Sequence, residues 1–245
     1  TEAIYLVITA LINPGDEVIV LEPFYDSYVA SIKMAGGIPV PVTMHAPDFS
    51  IDQEELEAAV SPKTKLLILN NPHNPSGKVW MKEELEAVSK VVIKNDLYLL
   101  SDEVYEFLLF DGAHHLPTAT LEGMFERTIT VSSAGKTFGL TGWKIGWICA
   151  NQKVTNACRL VHQYVTFSVS TPMQEAVAEG LKQLPVYLPG FVSLYKQKRD
   201  WFYKEMKELG FDFPVPKGTY FMMVPISKHT NLSDVDYVMK LITEN

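Results

Sequence analysis

The sequence predicts an α/β fold, a three-layer αβα arrangement around a mostly parallel sheet, followed by the start of a smaller α+β unit. Helical and strand-like apolar patterns alternate from Glu2 to Val131, as they do where helices cover a parallel sheet. Lys65-Leu66-Leu67-Ile68-Leu69 ends in an unbroken apolar run, the mark of a strand buried on both faces. With 47% of 245 residues hydrophobic, the chain can fill the core such a sheet requires.

Each element follows from local chemistry. Apolar residues recur at helical spacing from Glu2 to Ile12, and Asn13-Pro14-Gly15-Asp16 stops them with a turn. A strand is expected from Glu17 to Leu21, a helix from Tyr25 to Met34 ending on Gly36-Gly37, and a strand from Ile38 to Val42. A short helix from Asp52 to Val60 precedes the Lys65 to Leu69 strand. The alternation continues with a helix from Lys82 to Asn95 and strands at Leu97 to Leu100 and Thr128 to Val131. Beyond Thr171-Pro172 the pattern predicts a helix, a break around Pro185 to Pro189, and a long amphipathic helix from Phe191 to Leu209. Two short strands around Lys217-Gly218, within Phe211 to Val224, and a helix from Asp234 to Thr243 complete the reading. A boundary near Leu188 assigns residues 1–188 to the large domain and 189–245 to a connecting helix and part of a small one.

Composition excludes several functions. Lys and Arg number 21 against 29 Asp and Glu, a net charge of −8, whereas nucleic acids and anionic membranes call for clustered cations. No apolar run approaches the roughly 18 residues of a membrane span. Two cysteines, Cys149 and Cys158, make no disulfide framework and fit a reducing, cytoplasmic setting. The chain opens on Thr1-Glu2-Ala3-Ile4, already inside a helical pattern and without an initiator Met. The expectation is therefore the middle of a longer protein, which leaves organellar targeting open.

Ligands of open α/β sheets bind outside the carboxyl ends of the strands. Three apolar runs end there on polar residues: Asn70-Asn71-Pro72-His73-Asn74-Pro75-Ser76-Gly77, Ser101-Asp102-Glu103-Val104-Tyr105, and Ser132-Ser133-Ala134-Gly135-Lys136-Thr137-Phe138. An amide, a carboxylate with a phenol three residues on, and a lysine would converge. A lysine amine is a poor nucleophile at its ordinary pKa of about 10.4, but as a Schiff base to an aldehyde cofactor it becomes an exchangeable tether. Pyridoxal 5'-phosphate (PLP) is such a cofactor, and its electron-sink chemistry wants a buried carboxylate beside the ring nitrogen, a part suited to Asp102. Tyr105 and Asn74 could bond the ring hydroxyl. Ser133, Lys144 and the helix start at Thr1 offer a hydroxyl, a cation and N–H groups to a phosphate.

The ordered set Asn74-Pro75-Ser76-Gly77, Ser101 to Tyr105, Ser133 to Phe138 and Thr141-Gly142-Trp143-Lys144-Ile145-Gly146-Trp147 resembles the fold-type I, class-I aminotransferases. Glu22 to Tyr28 and Gly218-Thr219-Tyr220-Phe221 are similar to the kynurenine aminotransferase subgroup, also called cysteine-conjugate β-lyases or glutamine transaminase K. The resemblance runs over essentially the whole chain. It implies that Lys136 forms the Schiff base and shuttles the substrate proton, that Asp102 pairs with the pyridine nitrogen, and that Tyr105 bonds the phenolic oxygen. Asn74 matches a residue touching that oxygen and the substrate carboxylate, Tyr25 the aromatic stacked on the ring, and Ser133 with Lys144 the phosphate pair. Lys144 stands where many relatives carry Arg. Thr1 falls in the phosphate-binding turn, without the glycine that precedes it in relatives, and Phe167 matches an aromatic that reaches a neighbouring subunit's substrate pocket. The fold implied is the PLP-transferase large domain, in a homodimer acting on an amino acid and a 2-oxo acid. The arginine that clamps the substrate carboxylate is expected beyond Asn245.

Blander readings compete. Asp102 could cap the following segment, Tyr25 and Tyr105 could be core aromatics, and Glu83, Glu84 and Glu86 read as a solvated helix face. His114-His115 reads as a surface pair rather than a metal site, for want of ligands at convincing spacing. Neither G-x-G-x-x-G after a strand nor a G-x-x-x-x-G-K-[ST] loop is present, which disfavours dinucleotide and nucleoside-triphosphate enzymes; no G-x-S-x-G supports a hydrolase. Within PLP chemistry, β-elimination from cysteine conjugates or a cyclase-type lyase reaction competes with transamination. A non-catalytic binding protein of the same fold would be favoured by loss of Lys136 or Asp102, and both are present.

Overall fold

The computed structural model describes residues 1–244. Its strands are β1 (Glu17–Glu22), β2 (Ile38–His45), β3 (Ser50–Ile51), β4 (Thr64–Asn70), β5 (Tyr98–Asp102), β6 (Thr128–Ser133) and β7 (Gly146–Cys149). They form one sheet in the order β3-β2-β1-β4-β5-β6-β7. Neighbours from β2 through β6 run parallel, while β3 and β7 lie antiparallel at the two edges. The helices are α1 (Glu2–Leu11), α2 (Ser27–Met34), α3 (Gln53–Ala58), α4 (Lys82–Lys94), α5 (Ala134–Thr137), α6 (Gln152–Val165), α7 (Thr171–Lys182), α8 (Leu184–Glu208) and α9 (Asp234–Glu244).

Strand alternation sorts the core into two layers. Val18, Val20, Leu66, Ile68 and Leu100 point to one face and pack with Ile4, Val7 and Ile8 of α1, Ile32 of α2 and Val154 of α6. Ile19, Leu21, Leu67, Leu69 and Leu99 point to the other and meet Leu56 of α3 and Leu85, Val88 and Val92 of α4. The expected three-layer sandwich is thus realised. Local chemistry sets the helix starts: Asp52 Oδ1 accepts from the N–H groups of Glu54 and Glu55 at 2.8 and 3.2 Å, and Asn151 Oδ1 accepts from Val154 N–H at 2.9 Å.

Several expectations need correction. The break around Pro185 to Pro189 is absent: α8 runs unbroken from Leu184 to Glu208. Pro185 falls in its first turn, where no N–H is needed, and Pro189 is accommodated inside the helix. The two strands around Lys217-Gly218 do not form; an isolated bridge joins Leu109 and Gly218. Pro214 and Pro216 lack the N–H groups a ladder uses. The helix expected from Tyr25 begins at Ser27. Four elements escaped the sequence reading: β3, β7, α5 and α6.

Candidate active site

Tyr25 follows β1, and Asn74 follows β4, the strand beside it. The chain leaves β1 for β2 on one side and returns to β4 on the other, so these two residues flank the point where the strand order reverses. Asp102 ends β5, while Ser133 ends β6 and leads into α5, which carries Lys136. Parallel register therefore gathers residues far apart in sequence at one sheet edge.

The centre of the site is Asp102, 4% exposed. Its Oδ2 accepts from Tyr28 Oη at 2.7 Å and its Oδ1 from Val104 N–H at 3.3 Å. Burial pushes its pKa up, and the Tyr28 and Val104 donors oppose the rise. Tyr28, buried beside that carboxylate, has its own pKa raised well above the ordinary phenol value by desolvation first and by Asp102 next, so it stays a donor. The backbone carbonyl of Asp102 accepts from Asn71 N–H at 3.0 Å and Asn70 Nδ2 at 2.8 Å. Asn70 Oδ1 in turn accepts from Asn74 N–H at 2.6 Å. The Asn74 loop is thereby tied to the carboxylate strand, and the half-buried Asn74 is held by its backbone.

Lys136 Nζ donates to Tyr220 Oη at 2.6 Å, and Tyr105 Oη donates to the same oxygen at 3.3 Å. Tyr105 is 3% exposed and stands edge-on to Tyr220, with centroids 5.3 Å apart. Burial, and then the Tyr220 bond, raise its pKa. Tyr25 stands edge-on to Tyr28 at 5.8 Å, and its Oη lies 3.0 Å from Thr1 Oγ1. Lys144 is exposed at φ 56°, left-handed backbone that costs a residue with a Cβ about 1 kcal/mol. Ser133 pairs with Gly146 across β6 and β7, close to the Lys144 turn.

Lys136, Asp102, Tyr105, Asn74, Tyr25, Ser133, Lys144 and Thr1 thus share one edge. Phe167 does not join them. It is 71% exposed at φ 66° after α6, with no ring contact or side-chain hydrogen bond to those residues among the described ones. Tyr28 and Tyr220 were missed as site residues; their partners lie 74 and 84 positions away, and their only signal was the two family motifs that contain them.

The opposite face of β5 corrects the surface reading of His115. His115 Nε2 lies 2.8 Å from Glu103 Oε2, with side chains 8% and 1% exposed. Glu103 Oε1 also accepts from Ser101 Oγ at 2.7 Å, and Glu106 Oε1 from Ser132 Oγ at 2.8 Å. A carboxylate oxygen of Glu103, one of Glu106 and a ring nitrogen of His115 lie within 4.8 Å of one another, a polar cluster in which Glu103 is buried and the other two are half-buried.

The donor set fits a protonated pyridine. Both hydrogen-bond donors to Asp102, Tyr28 and the Val104 N–H, are neutral, so its buried charge has room for a cation in the place a ring nitrogen would take.

Residues 1–245 match the family model for aminotransferase class I and II, and the chain belongs to that family, whose members depend on PLP. It is 47% identical over 242 residues to the kynurenine--oxoglutarate transaminase of Dictyostelium discoideum, covering 91% of this chain and 56% of that one. It is 39% identical to the methionine aminotransferase of Escherichia coli, over 100% of this chain and 64% of that one. Among solved structures, N-succinyldiaminopimelate aminotransferase from Mycobacterium tuberculosis superposes with a TM-score of 0.93 at 38% identity, covering 100% of this chain and 64% of the other. The chain spans between about half and two thirds of the length of these relatives.

Proposed function

We propose that the whole protein is a PLP-dependent aminotransferase that exchanges the amino group of an aromatic or hydrophobic amino acid, of the kynurenine or glutamine type, with a 2-oxo acid. The observation that carries this is the meeting of a lysine amine, two phenols and a buried carboxylate at the edge of adjacent parallel strands. The 47% identity to a kynurenine--oxoglutarate transaminase supports the substrate class. Bound PLP supplies an electron sink for negative charge at the substrate α-carbon. Lys136 Nζ is the tether and the base that takes and returns the α-proton. Asp102 holds a proton on the ring nitrogen by its charge, and Tyr28 keeps that carboxylate oriented. Tyr105 and Asn74 would bond the ring oxygen, and Tyr25 would cover the ring face. Ser133, Lys144 and the Thr1 N–H hold the phosphate. In a homodimer, Phe167 would reach a neighbouring subunit's pocket, which accords with its exposure.

Borohydride treatment of the complete purified protein should leave a pyridoxyl adduct on the Lys136 peptide. Lys136→Ala should lose both the adduct and 2-oxo acid production. No adduct at Lys136 would sink the reading. Release of pyruvate and ammonia from cysteine conjugates, without amino exchange, would move the assignment to β-elimination.

A further inference from the structure

The segment from Pro216 to Phe221 belongs to no strand, yet it is fastened at several points. Lys217 and Gly218 N–H both donate to Gly77 O, at 3.1 and 2.9 Å. Thr219 N–H donates to Leu108 O at 3.0 Å, and Phe110 N–H to Lys217 O at 2.8 Å. Thr219 has φ 62°, and its Oγ1 accepts from Phe221 N–H at 3.1 Å. Tyr220 is thereby presented to Tyr105 edge-on, and to Tyr195 of α8 in a stack with centroids 5.8 Å apart. Its hydroxyl oxygen accepts from Lys136 Nζ and from Tyr105 Oη. Lys136 Nζ also lies 5.3 Å from the Tyr220 ring centroid and 5.7 Å from that of Tyr105.

We propose that Tyr220 is a positioning residue for the reaction: it holds the Lys136 amine whenever that amine is not covalently engaged. The proposal rests on reading Lys136 as the Schiff-base lysine. Such a lysine is released in each cycle and must be recaptured, and its four-carbon stem, once loose, samples many rotamers. A fixed acceptor retains it. The Tyr105 and Tyr220 rings close to the same amine add to its hold. Tyr105 donates to the Tyr220 oxygen, so its lone pairs serve both neighbours while the ring stays fixed. Released Lys136 is thus kept near the reacting atoms as a proton carrier, by a residue from the segment after α8.

The test uses the complete chain stripped of cofactor. The rate of acetylation at each lysine is followed by peptide mass spectrometry from pH 6 to 10, with exposed Lys90 as reference. Tyr220→Phe keeps the ring and removes the acceptor. Lys136 should then acetylate about three to ten times faster at pH 8 relative to Lys90. Tyr220→Met, which lacks the hydroxyl but differs in shape, should give the same acceleration, and thermal melts of both variants check folding. A Lys136 profile that superimposes on wild type in either folded variant overturns the proposal. Borohydride trapping on the loaded protein separates the two ideas: an adduct with an unmoved profile rejects Tyr220 alone, whereas no adduct rejects the proposed function.

Discussion

In β4 every side chain from Leu66 to Asn70 is buried, whereas the eleven residues of α9 bury none, and Arg199 alone is buried among the twenty-five of α8. The sheet is held by dehydration of interleaved branched side chains, a non-directional force that scales with area. The helices after it are held at points. Arg199 donates to both carboxylate oxygens of Asp111, at 2.7 and 3.1 Å, and to Pro216 O at 2.9 Å, and rings from Tyr187 through Phe191 and Tyr195 lead to Tyr220. One region sets stability, and the other delivers a hydroxyl to a chosen atom. Substitutions in the two should therefore differ in size and in what they disturb.

The largest effect belongs to the sheet. Leu67→Ala, at a site with no exposure, should cost about 3–4 kcal/mol in a denaturant titration, and a cost below about 1 kcal/mol would break the contrast. His73 comes next. Burial lowers its pKa from 6.5 to about 4, so below pH 6.5 the unfolded chain takes up a proton that the folded chain refuses. Stability should be unaffected by His73 above that pH and fall by about 3 kcal/mol between pH 6.5 and 4. His73→Asn should remove this part of the slope. Gly77→Ala tests the joint between the regions: Gly77 has φ 71°, and an added Cβ would lie 2.5 Å from Pro216 Cβ. It should cost about 2 kcal/mol and loosen Tyr220, read as faster Lys136 acetylation in the folded variant. Val238→Ala on α9 should be the smallest, within about 0.5 kcal/mol, since Val238 is 51% exposed.

The sheet was legible because its evidence is local. Apolar runs at Glu17 to Leu21 and Lys65 to Leu69 and the helical spacing of Leu85, Val88 and Val92 mark elements that bury their own side chains. β7 escaped because Gly146 to Cys149 is four residues long and antiparallel, outside the helix–strand alternation. α6 escaped because it buries little besides Val154 and Cys158. Asp102, Tyr105 and Lys136 could be picked out as the polar residues that end strands. Tyr28 contributes through one long-range bond and Tyr220 through two, which no periodicity reports. His115 was misread because its partner Glu103 is placed by the β5 register rather than by spacing in sequence.

Side chains at the end of β5 alternate strictly: Asp102 faces Tyr28 and the site, while Ser101 and Glu103 turn to His115 and Thr118 on the reverse. Deleting one residue between Tyr98 and Asp102 would put Glu103 in the place of Asp102 against Tyr28, and inserting one would put Asp102 in the place of Glu103 against His115, with Ser101 facing Tyr28. A change of two residues would keep the faces but bring Leu100 or Val104 to the place of Asp102, so the spacing from Leu99 to Asp102 is as much a part of the site as the carboxylate itself.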